Sequence, residues 1–283
     1  MLRRRGKSPK LQRHETPGPA QARSSRRRPR PDVPVPSELK LRQSSPPSEP
    51  QPRSGKRGVQ GVVLVTGFDP FGGEKANPSW EICTRLPASI AGLRVETCRV
   101  PCEFRRAIEA VTQAIERHRP VLVISLGQAG GRAQLSVERV AINIDDARLA
   151  DNAGASPIDE PIAAGGPAAY FATIPVKAVT AAIRAAGVPA QLSNSAGTYV
   201  CNHLMYGVLH FLAHRAPSPL GEGGGEGRVR AGFIHVPYAE QQVLDKPGVA
   251  SMAIETMAKA VEAAIAAAAT VEQDARISEG RLD

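Results

Sequence analysis

The chain has 283 residues, 42% of them hydrophobic, and a formal charge of +9 that is very unevenly placed. Residues 1–57 hold 16 Lys and Arg against 4 Asp and Glu, a net of +12, which leaves 20 basic and 23 acidic residues, a net of −3, in the remainder. Any electrostatic attraction to nucleic acid therefore rests with the tail and not with the body, and no run of about 18 apolar residues is present to span a membrane.

The tail holds 11 of the 25 prolines and no aromatic residue. Such a segment buries too little apolar surface to offset the entropy of ordering, so residues 1–57 are expected to be a disordered Arg/Pro-rich extension. No apolar stretch follows its arginines as a secretory signal requires. Its composition faintly resembles a transit peptide, but its proline density spoils an amphipathic helix. The four cysteines, Cys83, Cys98, Cys102 and Cys201, form no CxxC pair and no disulfide or zinc spacing, and read as free thiols in a reducing cytoplasm.

From residue 58 onward, short apolar runs alternate with helical patterns. A strand at 61–66 leads into the loop Gly67-Phe68-Asp69-Pro70-Phe71-Gly72-Gly73. The glycine spacing matches a P-loop, but Gly73 and Glu74 stand where Lys and Ser/Thr are required, and Asp69 would repel a phosphate. Further strands are expected at 93–100, 121–126, 137–144, 190–193 and 232–236, and helices at 102–118, 175–187, 200–214 and 249–269. This alternation predicts one α/β domain over 58–283, with a largely parallel or mixed sheet covered on both faces. The strands at 121–126 and 190–193 also run into loops of small and polar residues, Gly127–Arg132 and Asn194–Cys201, and sites form where such loops converge. The five-glycine segment 218–230 reads as a flexible insert between a helix and a strand.

Cys201 stands at the start of the helix predicted over 200–214. There, open backbone N–H groups and the helix dipole are expected to lower its pKa, which makes it a candidate nucleophile. His203 is the nearest base in sequence, but it points about 200° away on the same helix and cannot easily reach Cys201. His210 and His214 have i,i+4 spacing without a third ligand nearby, and His118 reads as a helix C-terminal residue. His235 ends the last strand of the sheet. The acid that would orient its imidazole is Glu138, Asp145 or Asp146.

The segments GQAGGRAQLSVERVAIN, SNSAGTYVCNHLMYG and GFIHVPY, with VLVTGFDPFGGEKANPSWE near the start of the body, resemble the pyroglutamyl peptidase I family in their order along the chain. The resemblance implies a single three-layer α/β/α domain with a twisted mixed sheet, often assembled as a tetramer. It implies a cytoplasmic cysteine peptidase that removes an amino-terminal pyroglutamyl residue from peptides, using Glu138, Cys201 and His235 and no metal or cofactor. Arg148 is expected near the oxyanion. Phe68, Phe71 and Tyr199 are expected to sandwich the lactam ring, with loop backbone around Gln128 and Phe71 meeting its polar groups. Two other readings stay open to the sequence: a noncatalytic α/β ligand-binding protein in which Cys201 is structural, and a nucleic-acid-binding protein that acts through the basic tail.

Overall fold

The computed structural model describes residues 61–215, 218–219 and 226–280. The expectation for residues 1–57, and that for the middle of the 218–230 insert, lie outside the described residues.

Strand β1 (Val62–Phe68) is followed by α1 (Pro78–Cys83), β2 (Ser89–Ile90), β3 (Leu93–Val100), α2 (Arg106–His118) and β4 (Leu122–Gln128). Then come β5 (Leu135–Glu138), β6 (Val140–Ile142), β7 (Ala169–Phe171), α3 (Val176–Ala185), β8 (Ala190–Ser193) and α4 (Val200–His214). The chain closes with β9 (Ser218–Pro219), β10 (Glu226–Gly227), β11 (Arg230–Val236), a 3₁₀ turn (Glu240–Val243) and α5 (Ile254–Thr270). Seven strands form one sheet in the order β2-β3-β1-β4-β11-β5-β8. Strands β3, β1, β4 and β11 are parallel, β5 is antiparallel to β11, and β8 runs parallel to β5.

The period-2 alternation of the strands sorts the core into two halves. Val63 and Val65 pack with α1, α3 and α5 on one face, whereas Leu64, Val123 and Phe233 pack with α2 and α4 on the other. This is the three-layer mixed-sheet architecture expected. β1 and β4 are buried along their whole length, which is why they read as unbroken apolar runs. Met257, Ala260, Val261, Ala264, Ile265 and Ala268 form the buried stripe of α5 at helical spacing. Among the described residues no helix is long and apolar enough to cross a membrane.

Three local differences bear on the site. The single strand expected at 137–144 divides into β5 and β6: β6 leaves the main sheet to pair with β7, and Asn202 of α4 takes both the N–H and the C=O of Ile142. Helix α2 begins four residues later than expected, because Phe104 and Arg105 form a turn. Helix α1 is too short for periodicity to show, yet its start is well marked. Asn77 accepts from Ser79 N–H at 3.1 Å and Pro78 occupies the first helical turn. Strands β9 and β10, at the two ends of the glycine-rich insert, pair antiparallel.

Candidate active site

His235, near the carboxyl end of β11, meets Glu138 of the neighbouring antiparallel β5. In that ladder Phe233 stands opposite Glu138 and His235 opposite Ser136, so Glu138 and His235 are diagonal neighbours on one face. Nδ1 of His235 lies 2.8 Å from Glu138 Oε1. The same oxygen accepts from Arg132 Nη1 at 2.7 Å. Glu138 is fully buried and His235 nearly so. Burial by itself raises a carboxyl pKa, but the hydrogen bond and charge of His235, helped by Arg132, outweigh it and hold Glu138 below the usual carboxylate value. With Nδ1–H donated to the carboxylate, Nε2 is the imidazole's basic nitrogen. Of the three acids open to the sequence, Glu138 is the one that holds His235.

Cys201 reaches the same point from the opposite layer. Gly127 of β4 stands beside His235 in the parallel ladder. A Cβ added to Gly127 would lie 2.8 Å from Cys201 Sγ and 2.7 Å from the Phe233 ring. The sulfur therefore sits over the Gly127 backbone, one strand from His235, and only glycine permits that approach. Among the described residues no side chain caps the amino end of α4, which leaves the N–H groups of its first turn without a side-chain acceptor. The turn is anchored by Asn202, whose Nδ2 donates to Ile142 and Ile144 carbonyls. Thr198 and Asp146 join the nucleophile's loop to the 143–150 loop through two hydrogen bonds.

The lowered thiol pKa expected from the helix terminus does not hold. Burial pushes the Cys201 thiol up, Cys102 and Glu138 add to the rise, and Arg132 opposes it only in part. Cys201 is half-buried and its sulfur is crowded by Gly127 and Phe233, which limits the water that could solvate a thiolate. A raised thiol pKa favours the protonated form, so nucleophilic use of this sulfur calls for a neighbouring base.

His235 opens onto a cleft of about 580 Å³, lined also by Phe71, Gln128, Arg132, Arg148, Tyr199 and Tyr238. Phe71 and Tyr199 form one wall, their ring centroids 6.1 Å apart. Gln128 is held by Gln242, whose Nε2 donates to its Oε1 at 2.9 Å. Arg148 is exposed at the rim and has no ion-pair partner among the described residues. Phe68 requires a correction: it is 2% exposed, does not line the cleft, and packs against Phe233 with ring centroids 6.5 Å apart. Strand alternation puts it inside, where it backs the ring that touches Gly127 and the cleft only indirectly.

Sequence reasoning missed Arg132, Tyr238 and Gln242. Arg132 is the sole cation of the second glycine loop, a signal that was there to read. Tyr238 was visible only through Gly130, whose Cβ would fall 2.3 Å from the tyrosine ring. Loop 194–199 does reach the cleft, although β8 runs against β1 and β4. It does so because β8 stops beside Glu138 and the chain then crosses the sheet face.

Among the described residues the remaining histidines have other partners. His203 Nδ1 pairs with Asp145 Oδ2 at 2.7 Å, and His210 Nδ1 with Tyr170 Oη at 3.0 Å. Among the described residues no group of three or more His, Cys, Asp or Glu is placed to hold a metal ion.

The family model described as pyroglutamyl peptidase matches residues 61–271. The chain is 50% identical over 219 residues to the pyrrolidone-carboxylate peptidase of Erwinia tasmaniensis, an alignment spanning 77% of this chain and 97% of that one. It is 52% identical over 222 residues to the enzyme of the same name from Cupriavidus taiwanensis, spanning 78% and 99%. Its structure resembles the crystal structure of pyroglutamyl peptidase I from Bacillus amyloliquefaciens, with a TM-score of 0.72 at 40% identity, covering 77% of this chain and all of that one. The pyrrolidone carboxyl peptidase of Thermococcus litoralis gives a TM-score of 0.70 at 38% identity, over 77% and 99% of the two chains. Matched along most of its body by the family model, by close relatives and by solved structures, the chain belongs to the pyroglutamyl peptidase family.

Proposed function

We propose that this chain is a cysteine-type omega peptidase that hydrolyses the bond following an amino-terminal pyroglutamyl residue. The carrying observation is the buried 2.8 Å contact between Glu138 and His235, one strand from the Cys201 sulfur. His235 Nε2 takes the Cys201 proton as the sulfur attacks the carbonyl carbon that joins pyroglutamate to the next residue. Glu138 keeps the imidazole in the right tautomer and stabilises the imidazolium that forms. The uncapped Cys201 N–H, with Arg148 at the rim, faces the developing oxyanion. Collapse of the tetrahedral adduct breaks the C–N bond, and the imidazolium passes its proton to the leaving amine. Water then attacks the thioester, with His235 accepting its proton, and release of the free acid returns Cys201 to the thiol. Neither a metal nor a cofactor enters these steps.

The neutral lactam fits the chemistry of the slot. Phe71 and Tyr199 offer apolar faces to the ring, with Phe68 supporting from behind, and the backbone near Phe71 and Gln128 offers donors and acceptors for its one N–H and one C=O. The test is release of fluorophore from pyroglutamyl-aminocoumarin by the wild-type chain and its loss in Cys201→Ala. A wild-type chain that binds pyroglutamate without turnover would favour the ligand-binding alternative.

Three further attributes belong to the same proposal. A nucleophilic free thiol suits the cytoplasm, and the four cysteines are free. Assembly as a homotetramer follows the family resemblance and is supported by exposed Phe171 and Ile142 on β6 and β7, apolar surface that self-association would bury. Residues 1–57 form an appendage dispensable to the catalytic domain, and any nucleic-acid binding is confined to it. Sedimentation equilibrium of full-length and truncated chains, with fractionation of cells that make the protein, checks all three.

A further inference from the structure

Behind the cleft wall lies a second buried histidine–carboxylate pair that the proposed chemistry does not use. His203 and Asp145 are 3% and 6% exposed, and their Nδ1–Oδ2 contact is 2.7 Å. The carboxylate fixes Nδ1 as the protonated nitrogen, so Nε2 is an acceptor, and at 2.8 Å it takes the backbone N–H of Arg105. Arg105 has φ 62° and ψ −55°, a conformation that side-chain-bearing residues rarely adopt. The next N–H, of Arg106, bonds back to the Phe104 carbonyl at 2.7 Å, closing a strained three-residue γ-turn at the start of α2. Phe104 N–H is in turn held by Asp151 Oδ2 at 2.8 Å. The ring that this turn projects stands edge-on to Tyr199, centroids 5.5 Å apart, and edge-on to His203 at 5.3 Å.

Tyr199 lines the cleft and stands just ahead of α4, two residues before Cys201, and His203 follows Cys201 by two. Strain of this kind persists only where its surroundings over-determine it. We infer that His203, oriented by Asp145, is a positioning residue: it clamps the Phe104–Arg105 turn so that Phe104 supports Tyr199, the wall that selects the pyroglutamyl ring. Both ring nitrogens are committed to this clamp, which is also why His203 is no rival to His235 as the base. The inference rests on the peptidase reading for its kinetic consequence, but the clamp itself has a separate readout.

Two substitutions divide the histidine's roles. In His203→Gln, Oε1 reaches about where Nε2 stood and keeps an acceptor for Arg105 N–H. In His203→Asn, the amide can satisfy Asp145 but stops short of Arg105. The Asn variant is expected to lose roughly 5- to 30-fold in kcat/KM for pyroglutamyl-aminocoumarin, mainly through KM, and to exchange the Arg105 amide hydrogen faster. The Gln variant should stay near wild type in both. Phe104→Ala should reproduce the kinetic loss of the Asn variant while leaving Arg105 exchange protected. Iodoacetamide labelling of Cys201 should be unchanged in all three, which reports an intact fold and nucleophile. Equal losses in Asn and Gln, an Asn variant with wild-type efficiency and exchange, or losses that track a lowered Tm would each overturn the clamp. A wild-type chain inert toward the substrate would overturn the peptidase reading instead, and the exchange comparison would still decide the clamp.

Discussion

His235 Nδ1 and Glu138 Oε1 lie 2.8 Å apart although 97 residues separate them, because antiparallel pairing of β5 with β11 makes them diagonal neighbours on a buried sheet face. Under the proposed mechanism one supplies the base and the other only orients it, so their substitutions should differ. General acid–base catalysis contributes about 10²–10⁴-fold, so His235→Ala should fall by that order in kcat. Glu138→Gln should retain more activity. Steady-state rates of both on a pyroglutamyl amide decide this, and a near-wild-type His235→Ala would remove His235 from the mechanism.

The depressed Glu138 pKa has a consequence for stability. A carboxyl ionised more readily in the folded than in the unfolded chain stabilises the fold above the unfolded value, about 4.3, and that contribution is lost as pH falls through the lower folded value. The Tm difference between wild type and Glu138→Gln should therefore be largest near neutrality and shrink below about pH 4. A gap that widens on acidification contradicts the assignment.

Cys201 should be the first cysteine alkylated by stoichiometric iodoacetamide, with matching loss of turnover. Its advantage is the adjacent proton acceptor and not a standing thiolate, since burial raises the thiols of Cys98 and Cys201 alike. Cys83 and Cys102 are 3% exposed and should react last. Peptide mapping of His235→Ala should show that the preference for Cys201 over partly exposed Cys98 is lost. Retention of that preference would return the activation to the helix terminus.

Gly127→Ala tests the seat of the nucleophile. Its methyl group would meet the Phe233 ring at 2.7 Å and Cys201 Sγ at 2.8 Å, so one of them must shift. A displacement near 1 Å at a reacting centre lowers rates by about 10²-fold. The expected result is a loss of that order in kcat with the far-UV spectrum unchanged, and an unaffected kcat would mean that the sulfur sits elsewhere during turnover.

Phe71→Ala and Phe68→Ala should part company. Losing a Phe-sized contact to the lactam is worth about 1.5–3 kcal/mol, or roughly 10- to 150-fold in kcat/KM for the pyroglutamyl over the prolyl amide. Phe68→Ala instead opens a core cavity and should cost about 3–5 kcal/mol of stability in denaturant titration. If Phe71→Ala leaves selectivity intact, the aromatic slot is elsewhere.

Deletion of residues 1–57 should leave kcat/KM and Tm nearly unchanged, because the family match begins at residue 61. A truncated chain that fails to fold would make the tail part of the domain.

The amino-acid sequence by itself determined what is local. Apolar runs at 61–66 and 121–126 marked the buried parallel strands, and the glycine loops, Cys201 and His235 marked where chemistry belongs. The four-residue spacing of Val200, Leu204, Val208 and Leu212 marked α4, and all but the half-buried Leu212 are buried. Each of these is a pattern with period 2 or 3.6, or a residue type with one strong use. Residue pattern alone left open which acid serves which histidine, since Glu138, Asp145 and Asp146 lie within a few residues of one another. The family resemblance implied Glu138, and the tertiary structure supplies the physical reason. The direction of β5 sends Glu138 to His235, and the departure of β6 from the sheet leaves Asp145 beside His203. The state of the thiol was decided there too. A helix start favours the thiolate, but crowding of the sulfur by Gly127 and Phe233 raises the thiol through desolvation, and those neighbours come from distant segments that no local pattern records.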